Sequence, residues 1–148
     1  VLDQNLEYKR LHNAEMEFGY RKSIVESGKY IVIRCCLKLK KGNQEDINKV
    51  MAELTERRKS KQPLQVPSAG STFKRPEGHF AGKLIEDAGL RGFTLGGAQV
   101  SELHCGFVVN NGGATARDVY DLIRHVQKTV YDKYKVKLET EVRILGEF

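Results

Sequence analysis

All three prolines of this 148-residue chain lie within residues 61–78, KQPLQVPSAGSTFKRPEG, at positions 63, 67 and 76. Proline fixes φ and carries no amide donor, so this stretch suits neither a helix nor a central strand. Long loops inside compact domains are usually functional or disordered. Leu64, Val66 and Phe73 argue against plain disorder. The expectation is an ordered loop that presents Ser71 between Ala69-Gly70 and Phe73.

Patterned segments flank this loop. Tyr30 to Leu39 alternates, with Ile31, Ile33, Cys35, Leu37 and Leu39 on one side, which predicts a strand. Ile47, Val50, Met51 and Leu54 recur at helical spacing, so residues 44–58 read as an amphipathic helix, with Asn43 and Asp46 as its start signal. Past the loop, Phe80 to Ala88 reads as a short helix closed by Gly89, and 107–110 as a short buried strand. Thr115 caps a long helix whose apolar side is Val119, Leu122, Ile123, Val126 and Val130. A last strand is expected over 136–145, where Val136, Leu138, Thr140, Val142 and Ile144 alternate with mostly charged residues. Helices and strands mix without a strict β-α repeat, so the fold class is α+β: a small mixed or antiparallel sheet with amphipathic helices packed on it.

Length suffices for one domain with a real core. No apolar run approaches a membrane span. Val1 to Asn5 has neither a basic start nor an apolar stretch, so no secretory leader is expected, and the start without Met marks a piece of something longer. Cys35, Cys36 and Cys105 have no metal-ligand spacing, which argues against structural zinc and for a reducing, cytoplasmic setting. The net charge of +6 is compatible with phosphates or nucleic acid. The basic run Arg57-Arg58-Lys59-Ser60-Lys61 reads first as cations at a helix C-terminus. Its lack of interleaved aromatics and of an RNA-binding signature speaks against nucleic acid.

Several residues could carry chemistry. On the last strand Glu141 and Arg143 share a face, about 7 Å apart along the chain. In a cleft they offer an acid beside an anion clamp; on a solvent edge they are ordinary surface charges. Ser71 lacks a Gly-x-Ser-x-Gly context and an assignable Asp/His pair, so a serine hydrolase is disfavoured. Arg21, Lys61, Lys74, Arg75, Arg91 and Arg143 stand near Gly, Pro or strand ends and suit phosphates or carboxylates. His104 reads as a hydrogen-bonded, semi-buried histidine before a catalytic one. Glycines 92, 96 and 97 do not form a dinucleotide fingerprint. From the residues alone the outcome is a cationic, anion-ready α+β domain with no firm reaction.

The segments EFGYRKS (17–23), SKQPLQVPSAGSTFKRPEGHFAGKLIEDAGLRG (60–92), GGAQVSELHCGFVVN (96–110) and LETEVRILGE (138–147) resemble the C-terminal half of the MurB family. Its members are flavoprotein UDP-N-acetylenolpyruvoylglucosamine reductases of bacterial peptidoglycan synthesis. The resemblance implies an NADPH-dependent FAD oxidoreductase that converts UDP-GlcNAc-enolpyruvate to UDP-N-acetylmuramate in the cytoplasm, with no metal, membrane or nucleic-acid partner. It implies hydride delivery to the enolpyruvyl methylene carbon from reduced FAD, and protonation of the neighbouring enolate-like carbon. Ser71 would be the proton donor, and Arg21 and Glu141 would polarise the substrate carboxylate and stabilise the enolate. The same carry-over makes Lys61, Arg91 and Arg143 ligands of the nucleotide-sugar, and Arg75 and His104 further polar substrate contacts.

The chain departs from the family pattern in two ways. The flavin-binding half is missing, so residues 1–20 are expected to be the tail of that region and 21–148 the substrate-binding domain, inactive alone and holding FAD poorly. Only a short link separates Leu39 from the helix near Asn43, as in the shorter subgroup without a tyrosine-bearing loop. Cys105 stands where a smaller Ala is common, a packing-neutral change. The competing reading is a stand-alone binding module for a nucleotide-sugar or RNA, without catalysis.

Overall fold

The computed structural model describes residues 1–147, which form two compact units, Val1–Asn43 and the described residues from Gln44 onward. In the first unit, regular structure is limited to two 3-10 turns, Asn13–Met16 and Ile24–Ser27, and isolated bridges joining Leu2 to Tyr8 and to Ile31 and Gly19 to Lys22. Its anchor is the buried Asp3, whose carboxylate accepts from the amides of Asn5 (2.8 Å) and Glu7 (3.0 Å) and pairs with Lys9 at 2.6 Å.

The expected strand over 30–39 does not form; only Ile31 makes a bridge. Alternation encodes a face, but a strand exists only where a second strand accepts its ladder. Among the described residues none pairs with 32–39, and the alternating apolar groups stay open, with Val32 53% and Leu39 81% exposed.

The second unit begins with α1 (Gln44–Lys61), followed by β1 (Ser68–Ser71), α2 (Ala81–Asp87), β2 (Thr94–Leu95), β3 (Ala98–Val100), β4 (Phe107–Asn110) and α3 (Ala116–Tyr134). The strands form one antiparallel sheet in the order β1-β4-β3-β2. Thus the proline loop does contain a strand, but an edge strand, where missing ladder donors are tolerated.

α3 forms as its periodicity predicts. Thr115 accepts from the Asp118 amide (3.1 Å) while the Asp118 carboxylate accepts from the Thr115 amide (2.9 Å), a reciprocal cap of the first turn. Leu122, Ile123, Val126 and Val130 are buried against Ile85, Ala98, Val100 and Val108. Behind α3 the chain returns along residues 136–140, where Leu138 joins the core.

Two elements differ from expectation. α1 has the predicted apolar stripe but no buried residue, with Met51 61% and Leu54 56% exposed; it is not packed on the sheet. The predicted strand over 136–145 shrinks to a single bridge between Thr140 and Phe73. Residues 141 and 142 bend, so the two-residue alternation that would set Glu141 and Arg143 on one face stops at Thr140.

Candidate active site

The site is built where the proline loop leaves the sheet. β1 pairs Ser68 with Val109 and Ser71 with Phe107, so three steps on β1 match two on β4. The extra residue makes a bulge, and Gly70 within it has φ +82°. A Cβ there would meet no atom within 4 Å, so glycine is needed for its backbone angle and not for space. Ser71, directly after the bulge, is exposed.

The next three residues are held from both sides. Thr72 donates its amide to the Gly106 carbonyl at 2.8 Å, and its buried Oγ1 accepts from the Val108 amide at 2.9 Å. On the other side, the Thr72 carbonyl accepts from the Glu141 amide and the Lys74 amide donates to the Glu139 carbonyl, both at 2.9 Å. Phe73 between them is buried in the core. Residues 72–74 therefore run between β4 and the return segment 139–141.

This pairing ties Glu141 to the residue next to Ser71. Glu141 donates its amide to the Thr72 carbonyl at 2.9 Å, so Ser71 and Glu141 both leave from one hydrogen-bonded junction. The half-buried Glu141 and the exposed Ser71 thus share a rigid support, although 70 residues of sequence separate them.

The other expected site residues of this unit lie on adjoining turns or at a helix end. Arg75 is exposed; its Nε donates to the His79 carbonyl at 3.3 Å and its guanidinium lies 4.0 Å from the Phe80 ring centroid. Such stacking fixes a cation's direction while leaving its remaining donors to other partners. His104 is half-buried, with Nδ1 accepting from the Gly106 amide at 3.1 Å, which leaves the proton of the neutral ring on Nε2. A Cβ on Gly106 would come within 2.9 Å of this ring and one on Gly82 within 3.2 Å, so both glycines make room for it. Arg143 is exposed just beyond Glu141, and Lys61 is the exposed last residue of α1.

Arg91 is engaged internally. It pairs with Glu86 at 2.7 Å and donates to the Glu102 carbonyl, tying the end of α2 to the turn after β3. The hydrogen bond from Arg91 holds the Glu86 carboxyl below its usual range. This pair is exposed, so its worth to stability is small.

Arg21 belongs to the first unit. Tyr20 and Arg21 form a tight turn closed by reciprocal bonds between Gly19 and Lys22, at 3.0 and 3.2 Å. Arg21 has φ +55°, a region that L residues rarely occupy, and its guanidinium lies 5.8 Å from the Tyr20 ring. Such residues persist where their surroundings over-determine them.

Sequence reasoning missed Thr72 as a structural clamp and Gly70 as a bulge. The hydroxyl pair Ser71-Thr72 was visible, but nothing local assigns one hydroxyl to solvent and the other to a buried amide. Among the described residues, no group of three or more His, Cys, Asp or Glu could hold a metal. No helix among them is long and apolar enough to cross a membrane. The turns at Gly96 and Gly97 leave no room for a side chain: a Cβ at Gly96 would meet the Asp118 carboxylate at 2.4 Å, and one at Gly97 the Ala114 amide nitrogen at 2.4 Å. The chain's own atoms fill those turns.

Comparison with known proteins adds a family. The profile described as UDP-N-acetylenolpyruvoylglucosamine reductase, C-terminal domain, matches residues 62–145. Proteins named UDP-N-acetylenolpyruvoylglucosamine reductase are similar along nearly the whole chain. One from Clostridium perfringens (strain SM101 / Type A) is 58% identical over 146 residues, covering 99% of this chain and 48% of its own length. One from Caldanaerobacter subterraneus subsp. tengcongensis is 55% identical over 147 residues, covering 99% of this chain and 49% of its own. The chain therefore spans about half the length of the curated relatives it matches. The crystal structure of the enzyme of the same name from Thermus caldophilus superposes with a TM-score of 0.71 at 42% identity, over 86% of this chain and 46% of that one.

Proposed function

The chain belongs to the family of UDP-N-acetylenolpyruvoylglucosamine reductase C-terminal domains, and from that premise we propose that it is the substrate-binding, proton-donating part of a longer cytoplasmic MurB-type reductase. The observation that carries this reading is the antiparallel pairing of residues 72–74 with 139–141, which sets Ser71 and Glu141 on one support. The substrate is UDP-GlcNAc-enolpyruvate and the product UDP-N-acetylmuramate, with NADPH as reductant. FAD supplies the hydride, and by the family resemblance it is held mainly by the half of the relatives' length that this chain does not cover.

This chain's task is then to bind, orient and protonate. Hydride addition at the enolpyruvyl methylene carbon leaves negative charge on the neighbouring carbon and its carboxylate. The Ser71 hydroxyl delivers a proton to that carbon. A serine hydroxyl is a weak acid, but an enolate-like carbon is a strong base, so the transfer runs downhill. The bulge at Gly70 fixes the donor's position, which removes the entropic cost of finding it. Glu141 acts on the carboxylate end, where stabilisation counts most because the charge develops during the reaction; the family resemblance gives Arg21 of the first unit the same carboxylate-polarising task. Arg75, Arg143 and Lys61 are cations for the nucleotide-sugar diphosphate, and His104 offers an Nε2 donor. Arg91, with its guanidinium already bonded to Glu86 and Glu102, contributes by holding the turn and through any donor left over.

The test uses the longer protein of which this chain is about half. Ser71→Ala is expected to cut UDP-N-acetylmuramate formation about 10²–10⁴-fold, while NADPH still bleaches the flavin. Unchanged turnover would remove Ser71 as the proton donor.

A further inference from the structure

A second concave surface lies in the same unit, lined by none of the residues assigned above to the reaction. It is an open groove of about 710 Å³ between α3 and the return segment 137–140. Arg124, Gln127, Lys128 and Tyr131 project from one side of α3 at helical spacing, and Lys137 and Glu139 face them. Gln127 braces the two walls by donating its side-chain amide to the Leu138 carbonyl at 2.8 Å.

The lining carries four cations, Lys74, Arg124, Lys128 and Lys137, against one carboxylate, Glu139. Glu139 is engaged by Lys74 at 3.2 Å, and Lys128 is paired with Asp132 at 2.5 Å. Arg124 makes only a 3.5 Å bond to the neutral Gln127 among the described residues, and no carboxylate there pairs with Lys137. Two unneutralised cations on opposite walls, one of them a guanidinium, suit a phosphate-bearing anion. The volume is that of a nucleotide-sized ligand and exceeds what a bare diphosphate needs. The partly exposed Tyr131 ring gives the rest of such a ligand a flat apolar surface.

We propose that this groove is a second binding site, distinct from the Ser71 site, for a small organic diphosphate of the nucleoside type, held by Arg124 and Lys137 with its aromatic base against Tyr131. A ligand there rests on residues 137–140, which run directly into the segment that positions Glu141. The inference does not depend on the proposed reaction.

Titration calorimetry of the 148-residue chain with ADP and with inorganic pyrophosphate at matched ionic strength tests it. The expected result is one ADP per chain, bound at least about threefold tighter than pyrophosphate. The Arg124→Ala/Lys137→Ala double variant should weaken ADP at least about tenfold (about 1.4 kcal/mol). Arg117→Ala, on α3 but outside the groove, should leave ADP binding unchanged. Far-UV circular dichroism checks that the exposed double variant stays folded. ADP binding that survives the double variant overturns the proposal, as does pyrophosphate binding equal to ADP, or loss of ADP binding in Arg117→Ala. Failure here leaves the Ser71 reading standing, because that reading is judged by turnover of the longer protein.

Discussion

Thr72 and Ser71 are neighbours with opposite tasks. Ser71 faces solvent, while Thr72 is 3% exposed and its hydroxyl receives the Val108 amide. Valine has the same shape as threonine but cannot accept, so Thr72→Val leaves a buried donor without its partner. The expected loss is about 1–3 kcal/mol, read from the urea midpoint of the chain. Thr72→Ser keeps the acceptor and should recover most of it. Gly97 is a second sensitive residue. Its missing Cβ would lie 2.4 Å from the Ala114 amide nitrogen and 2.6 Å from the Gly112 carbonyl oxygen, both backbone atoms that cannot swing aside. Gly97→Ala should destabilise by about 1–3 kcal/mol, whereas an alanine at an ordinary surface site changes the midpoint little. Neither role was legible from composition. The sequence marks Gly96-Gly97 as punctuation and Ser71-Thr72 as a hydroxyl pair; which atoms approach them depends on a strand and a helix start elsewhere in the chain.

α3 and α1 have similar length and a similar apolar period, yet they differ in what supports them. α3 is both capped and buried. Replacing the cap, Thr115→Ala, should cost about 1 kcal/mol, measured by thermal denaturation. The same cap sets an acid response. Hydrogen bonds from the Thr115 amide and then its hydroxyl hold the Asp118 carboxyl below the ordinary range, with the Gly97 amide adding to them. A depressed carboxylate stabilises the fold above its unfolded-state value of about 3.9, and the effect is lost as pH falls through the lower folded-state value. Asp118→Asn should therefore lose less of its thermal midpoint than the parent between about pH 5 and about pH 3. α1 has no buried residue, so its helix draws little from packing within the described residues. Met51→Ser with Leu54→Ser should shift the unfolding midpoint of the second unit by less than about 0.5 kcal/mol. A larger shift would mean that α1 packs more tightly than its exposure indicates. The helix periodicities of both were plain in the sequence, because a helix closes its hydrogen bonds within itself. The strands over 30–39 and 136–145 were overestimated for the converse reason. Alternation specifies which groups share a face and says nothing about whether a partner strand lies alongside.

At the scale of the whole chain, one core organises the second unit. Ile85, Leu122, Val126 and Val130 are fully or almost fully buried, and they come from α2 and α3, the elements that cover the sheet. Leu122→Ala should cost about 2–5 kcal/mol, enough to loosen β4 and with it the segment carrying Ser71. The expected signature is coincident loss by far-UV and near-UV circular dichroism, since one core serves both helices and the sheet. The first unit rests on local bonds around Asp3, where the Lys9 side chain holds the carboxyl below its usual range.

The order of the amino acids is enough to read the α+β class, the positions of α1, α2, β4 and α3, the proline-marked loop that carries Ser71, and membership of a family through blocks spread along the chain. Those features follow from local dihedral preference, periodicity and motif identity, each readable within a short window. The three-dimensional pairing adds that β1 is a bulged edge strand, that Thr72 is clamped between Gly106 and Glu141, and that Glu141 bonds to the residue next to Ser71. Those outcomes are pairings between segments tens of residues apart. A pairing is set by which partners fill each other's hydrogen bonds around a shared core, and no window of sequence contains both partners at once.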